Sequence, residues 1–335
     1  CLMKKTVSFA KNAVNVFFHI TTRCNLKCAH CYINPDQHGD LTLPLQTVTD
    51  WLGLFYDPGK EANLILLGGE PTLHPELARI VEAARQIGYG SVTIDTNGYL
   101  FHDILDKVTP SRVDYFSFSL DGATPATNDR IRGDGCYEAC IRGIRQAVEK
   151  GFSASMIYTV SRQNLHELAD MKPILEDLGV SRFFIQVIGI RGRSAEPGKE
   201  PLQLTRQQWE THVPPIAEAV AKSGITVTYP RVFLAPEETF ECAGNVAENY
   251  FLFPNGRVYQ CPLCEDYPLH SMRIENNRIC RTPKINEADL FSLNIPEGCV
   301  MNKLVQAGNI DYDSGGKPVC KIACCLLKEE IPASH

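Results

Sequence analysis

At 335 residues the chain is long enough for one large core or two domains. Hydrophobic residues make up 44% and charged residues 21%, an ordinary globular balance, and a net charge of −6 excludes a global basic field for nucleic acid. There is no run of about 18 apolar residues, as a membrane-spanning helix needs, and "CLMKKTVSFAKNAVN" lacks the apolar centre of a secretory signal, so the expected location is cytoplasmic.

From residue 14 to about 187, short apolar runs alternate with amphipathic ones. The predicted strands are "VNVFFHI" (14–20), "NLILL" (63–67), "SVTID" (91–95), "YFSFSL" (115–120), "SASMIYTV" (153–160) and "RFFIQV" (182–187). Between them, "PELARIVEAARQIG" (75–88), "YEACIRGIRQAVEKG" (137–151) and "HELADMKPILEDLG" (166–179) carry apolar residues at helical spacing and close on glycine. Six strand–helix units predict an α/β fold with a parallel sheet and right-handed crossovers, either an open sheet or a partial barrel. In both, ligands belong at the carboxyl ends of the strands. The stretch "GIRGRSAEPGKEP" (189–201) reads as a linker, followed by a helix over 205–223 and a short strand, "ITVTYP". Beyond Cys242 periodicity is poor and cysteines dominate, the pattern of a small region built on metal rather than on a hydrophobic core.

Fourteen cysteines are the outlier in the composition. A long chain with a full set of core residues and no export signal points to metal ligands rather than crosslinks. "RCNLKCAHCY" (23–32) places Cys24, Cys28 and Cys31 just after the first strand. A structural zinc wants four protein ligands and a disulfide two. Three thiolates can hold three irons of a four-iron, four-sulfur (4Fe-4S) cluster and leave the fourth iron open, the mark of a reacting site. A zinc site completed by His19 or His30 is the alternative.

The C-x3-C-x2-C spacing with Tyr32 after the last cysteine resembles the signature of the radical S-adenosylmethionine (SAM) superfamily, whose fold is a partial (β/α)6 barrel. Other segments agree in order. "LLGGEP" (66–71) ends the second strand, "DTNG" (95–98) the third, "SFSLDG" (117–122) the fourth and "YTVSRQN" (158–164) the fifth, with "NDRIRGDG" (128–135) between the last two. The resemblance implies a cluster on Cys24, Cys28 and Cys31. It implies SAM contacts from Tyr32, Gly68, Gly69, Glu70 (to the SAM ammonium) and Asn97. It also gives Ser119 and Asp121 to the ribose hydroxyls and Thr159 and Val160 to the adenine, with Asn164 as a weaker candidate. The implied chemistry is reductive cleavage of SAM to a 5′-deoxyadenosyl radical that abstracts a hydrogen atom from a small-molecule or peptide substrate, with an electron donor such as flavodoxin or ferredoxin. An iron–sulfur electron carrier or scaffold without turnover is the other class.

"CAGNVAENYFLFPNGRVYQC" (242–261) reads as a hairpin with a cysteine at each end, and "CPLC" follows. This resembles the SPASM or twitch extensions of radical SAM enzymes, which bind auxiliary iron–sulfur clusters. The expected division is a radical SAM core at 14–190, a linker with helix and short strand at 191–235, and a small cysteine-rich SPASM/twitch-like region at 236–327. The expected auxiliary ligands are Cys242, Cys261 and Cys264 with Cys320 as the fourth, and Cys280, Cys299, Cys324 and Cys325 are further candidates. Zinc or disulfides are the alternative there. Cys136 and Cys140, i and i+4 on a helix, read as packing residues.

For the substrate, about 13 residues before the first strand are too few for a leader-binding domain, which favours a substrate without a leader. In sulfatase-maturing relatives a carboxylate follows the equivalent of Cys261, where this chain has Pro262, which leaves Glu265 and Asp266 as candidate acid/base residues. Arg191, Arg193 and Lys199 are candidates to hold an anionic group, or form a solvated loop.

Overall fold

Each of the six predicted strands forms, and alternation along it decides which side chains face the helices and which face the interior. The computed structural model describes residues 5–7, 12–198 and 200–333, so Lys199 lies outside the described residues. Chain order begins β1 (Lys5–Val7), β2 (Ala13–His19), α1 (Leu45–Leu54), β3 (Glu61–Leu67), α2 (Leu77–Ile87), β4 (Ser91–Thr96), α3 (Ile104–Lys107), β5 (Tyr115–Ser119), α4 (Pro125–Arg132) and α5 (Cys136–Glu149). It continues through β6 (Ala154–Val160), α6 (Met171–Asp177), β7 (Arg182–Val187), α7 (Arg206–Ala221), β8 (Thr226–Pro230) and β9 (Phe233–Leu234). The remainder is α8 (Ala243–Val246), β10 (Glu248–Leu252), β11 (Arg257–Tyr259), β12 (Met272–Glu275), β13 (Arg278–Arg281), α9 (Glu287–Phe291), α10 (Val300–Val305), β14 (Lys321–Ile322) and β15 (Lys328–Ile331).

The main sheet runs in the order β1-β15-β8-β7-β6-β5-β4-β3-β2-β10-β11-β12-β13. Every pair from β8 to β10 is parallel. The expected six strands are therefore extended at both ends. The stretch 191–235, expected as a linker with a helix and a short strand, forms both, and they join the sheet: α7, capped by Thr205 and Gln208, crosses back so that β8 pairs parallel with β7. β10, from the cysteine-rich region, adds to the far side of β2.

Along β2, Val14, Val16 and Phe18 are fully buried beneath the helices, while Asn15, Phe17 and His19 face the interior. The same alternation recurs in β3, β4 and β6. One face therefore packs on helices and the other lines a lumen, rather than both being uniformly apolar. The helices answer with matching stripes. In α2, Leu77, Ile80, Val81 and Ala84 are buried, and Gly88 ends the helix at φ +119°. Cys136 and Cys140 lie on the buried face of α5, where Gly98 and Gly143 allow backbone contact, so they are packing residues.

β10 is bonded to the barrel by more than its backbone. Asn63 donates to Asn15 (3.1 Å) and Asn15 donates to Asn249 (2.9 Å), a side-chain ladder on one rung of β3, β2 and β10. One step higher Phe17 stacks on Phe251 at 4.5 Å, and higher still His19 stacks on Phe253 at 4.4 Å. The cysteine-rich region thus supplies a wall of the lumen.

Candidate active site

A cavity of about 320 Å³ opens at the carboxyl ends of the parallel strands. Its wall includes Cys24, Cys28 and Cys31, the Gly68–Gly69–Glu70 turn, Asn97, Ser119 and Thr159. Their approach is set by backbone. Gly69 donates to the Thr21 carbonyl (3.0 Å) and Glu70 to the Arg23 carbonyl (2.8 Å), locking the turn after β3 onto the cysteine loop. A Cβ on Gly69 would stand 2.2 Å from the Arg23 carbonyl oxygen, so only glycine fits. The loop is tied from its other sides by Ala29 to the Ile131 carbonyl (2.8 Å), Arg193 N–H to the Cys31 carbonyl (2.9 Å) and Asn97 Nδ2 to Asn25 (2.8 Å).

The three cysteines are free thiols. Burial pushes Cys24 up to about 12 and raises Cys28 and Cys31, so each holds its proton until a metal displaces it. Among the described residues no three His, Cys, Asp or Glu side chains converge on one ion. Three thiolates can each hold one iron of a cluster, whereas a closed structural zinc needs a fourth protein ligand. His30 lines the cavity with Nε2 2.7 Å from Asp121 and Nδ1 buried and unpartnered. His19 lines the cavity with Nε2 buried and unpartnered, and burial pushes its imidazole down to about 3, so the ring is neutral. The donor set, the glycine cradle and the open cavity fit a 4Fe-4S cluster with SAM.

Glu70 is fully buried, with one carboxylate oxygen bonded by Thr72 N–H (3.1 Å), Thr72 Oγ1 (2.6 Å) and Thr96 Oγ1 (2.8 Å) and the other by Asn97 N–H (2.8 Å). Tyr32 lies under the Arg191 guanidinium at 4.7 Å, and Arg191 also donates to the Pro262 carbonyl (2.5 Å).

Two of the expected SAM contacts differ. Asp121, expected to bond ribose, is fully buried and its oxygens are taken by His30, Arg132 (2.6 Å) and Thr159 N–H (2.6 Å). Burial alone would raise its carboxyl, but Arg132 and His30 hold it at about 2. It joins the cysteine loop to the ends of β5 and β6. Val160 faces the helix layer beside Trp209, because strand alternation turns it away from Thr159. Asn164 is buried and bridges the Asp121 and Thr159 carbonyls (3.0 Å each).

The candidate acid/base residues also lie elsewhere. After Cys261 one 3-10 turn (Pro262–Cys264) points Pro262 and Leu263 into the cavity and carries Glu265 and Asp266 behind it. Glu265, pushed up to about 7 by burial, accepts from Asn34 N–H (3.0 Å), and Asp266 accepts from Gly192 N–H (2.9 Å). Both brace loops over the cysteine site.

A second, small apolar cavity is lined by Cys242, Cys261, Cys299, Cys324 and Cys325 with Leu263, Phe291 and Met301. Burial pushes Cys242 up to about 12. Cys264 is buried beside the Cys261 thiol. Cys320, expected as the fourth auxiliary ligand, is not in this group and faces Arg206, Glu210 and Asp311. The short strand β14 holds Cys320 away, and the turn after it, closed by Leu327 N–H on the Cys324 carbonyl (2.9 Å), swings Cys324 and Cys325 in. Cys280 is exposed on β13. Cys299 reaches the group as the N-cap of α10, its sulfur accepting from Asn302 N–H (3.4 Å). Sequence spacing alone missed this grouping, and it also missed Asp95 and Lys328, which line the larger cavity.

Residues 18–172 match the Radical SAM superfamily model. That family uses a 4Fe-4S cluster and SAM. The chain is 34% identical over 185 residues to a pre-heme d1 synthase of Dinoroseobacter shibae, covering 53% of this chain and 44% of that protein. It is 31% identical over 194 residues to an Fe-coproporphyrin III synthase of Methanosarcina barkeri, covering 56% and 47%. The chain thus spans about half the length of these two relatives. A probable GTP 3′,8-cyclase of Saccharolobus islandicus is 25% identical over 260 residues, covering 74% and 82%. Among solved structures, Streptococcus suis SuiB bound to its precursor peptide SuiA superposes with a TM-score of 0.62 at 14% identity, covering 90% of this chain and 65% of that one. Native anSMEcpe with bound AdoMet and a peptide gives 0.59 at 13% identity, covering 84% and 81%. These likenesses establish the radical SAM fold. Among the described residues no helix is long and apolar enough to cross a membrane.

Proposed function

We propose that this chain is a radical SAM enzyme that abstracts a hydrogen atom from a small-molecule or peptide substrate, assisted by one auxiliary iron–sulfur cluster. The observation that carries the reading is the grouping of three free cysteines with the Gly68–Gly69–Glu70 turn on one cavity wall. When bound, the cluster and SAM supply one-electron cleavage of a sulfonium C–S bond and a 5′-deoxyadenosyl radical. The protein's residues do the rest. Cys24, Cys28 and Cys31 hold the cluster, Glu70 and Asn97 orient the SAM head group, and Ser119 and Thr159 face its nucleoside. Phe17, Phe251, Phe253 and Leu326 line the cavity with apolar surface that excludes water and stray hydrogen donors.

The auxiliary cluster is assigned to Cys242, Cys261, Cys299 and Cys324, with Cys325 and Cys264 adjoining. The functional divisions are the barrel with its extension through β8 and the cysteine-rich region after it. An external donor such as flavodoxin or ferredoxin, and a reducing cytoplasmic setting, complete the reading.

The test is anaerobic: load the chain with iron and sulfide, reduce with dithionite, add SAM and measure 5′-deoxyadenosine by mass spectrometry. Wild type is expected to form it and Cys28→Ala is not. Iron-loaded wild type that binds SAM and fails to cleave it, with and without candidate substrates, would return the chain to the electron-carrier or scaffold class.

A further inference from the structure

β15 runs antiparallel beside β8 and turns Glu330 and Lys328 inward. Glu330 pairs with Arg182 at 2.9 Å. Lys328 has no such partner: among the described residues no carboxylate lies within ion-pair distance of it. Its Nζ sits 4.1 Å from the centre of the Phe184 ring, which holds it from one side and leaves its other donors to the cavity. Asp95, near the end of β4, lines the same cavity with Ser117 beside its carboxyl, and it too lacks an ion-pair partner among the described residues.

The two groups lie within electrostatic reach of each other. Burial pushes Asp95 up to about 7 and Lys328 down to about 8; Lys328 moderates the shift of Asp95, and the Cys325 thiol and then Asp95 moderate that of Lys328. An acid and an amine held apart in a low-dielectric cavity are both under-solvated. A ligand carrying ammonium and carboxylate on one carbon satisfies both at once, head to tail.

We propose that Asp95 and Lys328 are the two poles of a substrate subsite that takes a free α-amino-acid group, its carboxylate on Lys328 and its ammonium on Asp95. The inference rests on the radical SAM reading above and narrows its substrate class. An internal peptide residue carries neither charge, so the substrate is a small amino acid or a molecule that ends in one. Gln186 and Ser119 line the same cavity and offer polar contacts to such a substrate.

The probe is isotope-labelled glycine, titrated into the iron-loaded full chain already saturated with SAM and followed by saturation-transfer NMR. Prior saturation fills the site for the SAM head group, itself an amino acid. Saturable binding is expected in wild type, weakened at least about tenfold by both Lys328→Met and Asp95→Asn. Lys328→Arg should retain it, and Lys172→Met on the surface of α6 should not change it. SAM affinity and circular dichroism, measured on the same samples, separate a lost subsite from a lost fold. Absence of saturable binding in SAM-bound wild type, or binding indifferent to both variants, would overturn the proposal. Propionate binding as tightly as glycine, with no loss in Asp95→Asn, would overturn the two-pole assignment. Wild type that binds no SAM would overturn the enzyme reading and this inference with it.

Discussion

Glu167 shows how much of the site depends on single residues that never touch it. Its carboxylate accepts from Ala123 N–H (2.7 Å), Thr124 N–H (3.1 Å), Thr124 Oγ1 (2.8 Å) and Thr127 Oγ1 (2.7 Å), fixing the turn between Asp121 and α4. Burial alone would raise this carboxyl, but the threonine hydroxyls and backbone N–H groups hold it below its usual range. Glu167→Gln is expected to cost about 1–2 kcal/mol in chemical denaturation at neutral pH. A folded value below the unfolded one gives stabilisation that is complete above the unfolded carboxylate range and lost as pH falls through the folded value. The gap between wild type and variant should therefore close in acid. Gly69→Ala tests the backbone contact instead. With 2.2 Å available, the turn or the cysteine loop must move, and iron retained by the reconstituted variant should fall well below that of wild type.

At the scale of elements, the cysteine variants separate two ligand sets. Cys324→Ala should lose about four irons per chain relative to wild type, and Cys320→Ala should keep them. Iron analysis after anaerobic reconstitution checks both, and equal losses would favour Cys320 as a ligand. The strands and helices around the first cysteine loop were legible because apolar runs mark the strands and closing glycines the helices, as at Gly88. The loop itself was legible because its three cysteines lie within one turn-sized stretch. Cys320 and Cys324 were not separable that way. Their fates differ through pairing of β14 with β9 and a turn just beyond, and neither leaves a local pattern. Asp121 resembles a ligand-binding residue in sequence, but tertiary contacts from Arg132 and His30 claim it. Asp95 and Lys328 lie far apart in the sequence and line one cavity only because a late antiparallel strand returns to the lumen.

For the whole molecule, that returning strand is also a closure. β15 covers the edge of β8, pairs on its other side with β1, and buries Ile331 completely. Ending the chain after Leu327 should cost about 2–4 kcal/mol for the lost core side chain alone and leave an open strand edge. A lower thermal midpoint with concentration-dependent light scattering is the expected result. An unchanged midpoint would mean that β15 is held at the lumen without contributing to the fold.

The rungs between β2 and β10 have a mechanical consequence. The loop bearing Cys24, Cys28 and Cys31 follows β2 and Cys261 follows β11, with β10 paired to both between them. The strands that carry them are therefore joined through β10 by two ladders of main-chain bonds. For the clusters proposed at the two places, an electron passing between them would cross a gap held by the sheet, so its rate should be indifferent to solvent viscosity.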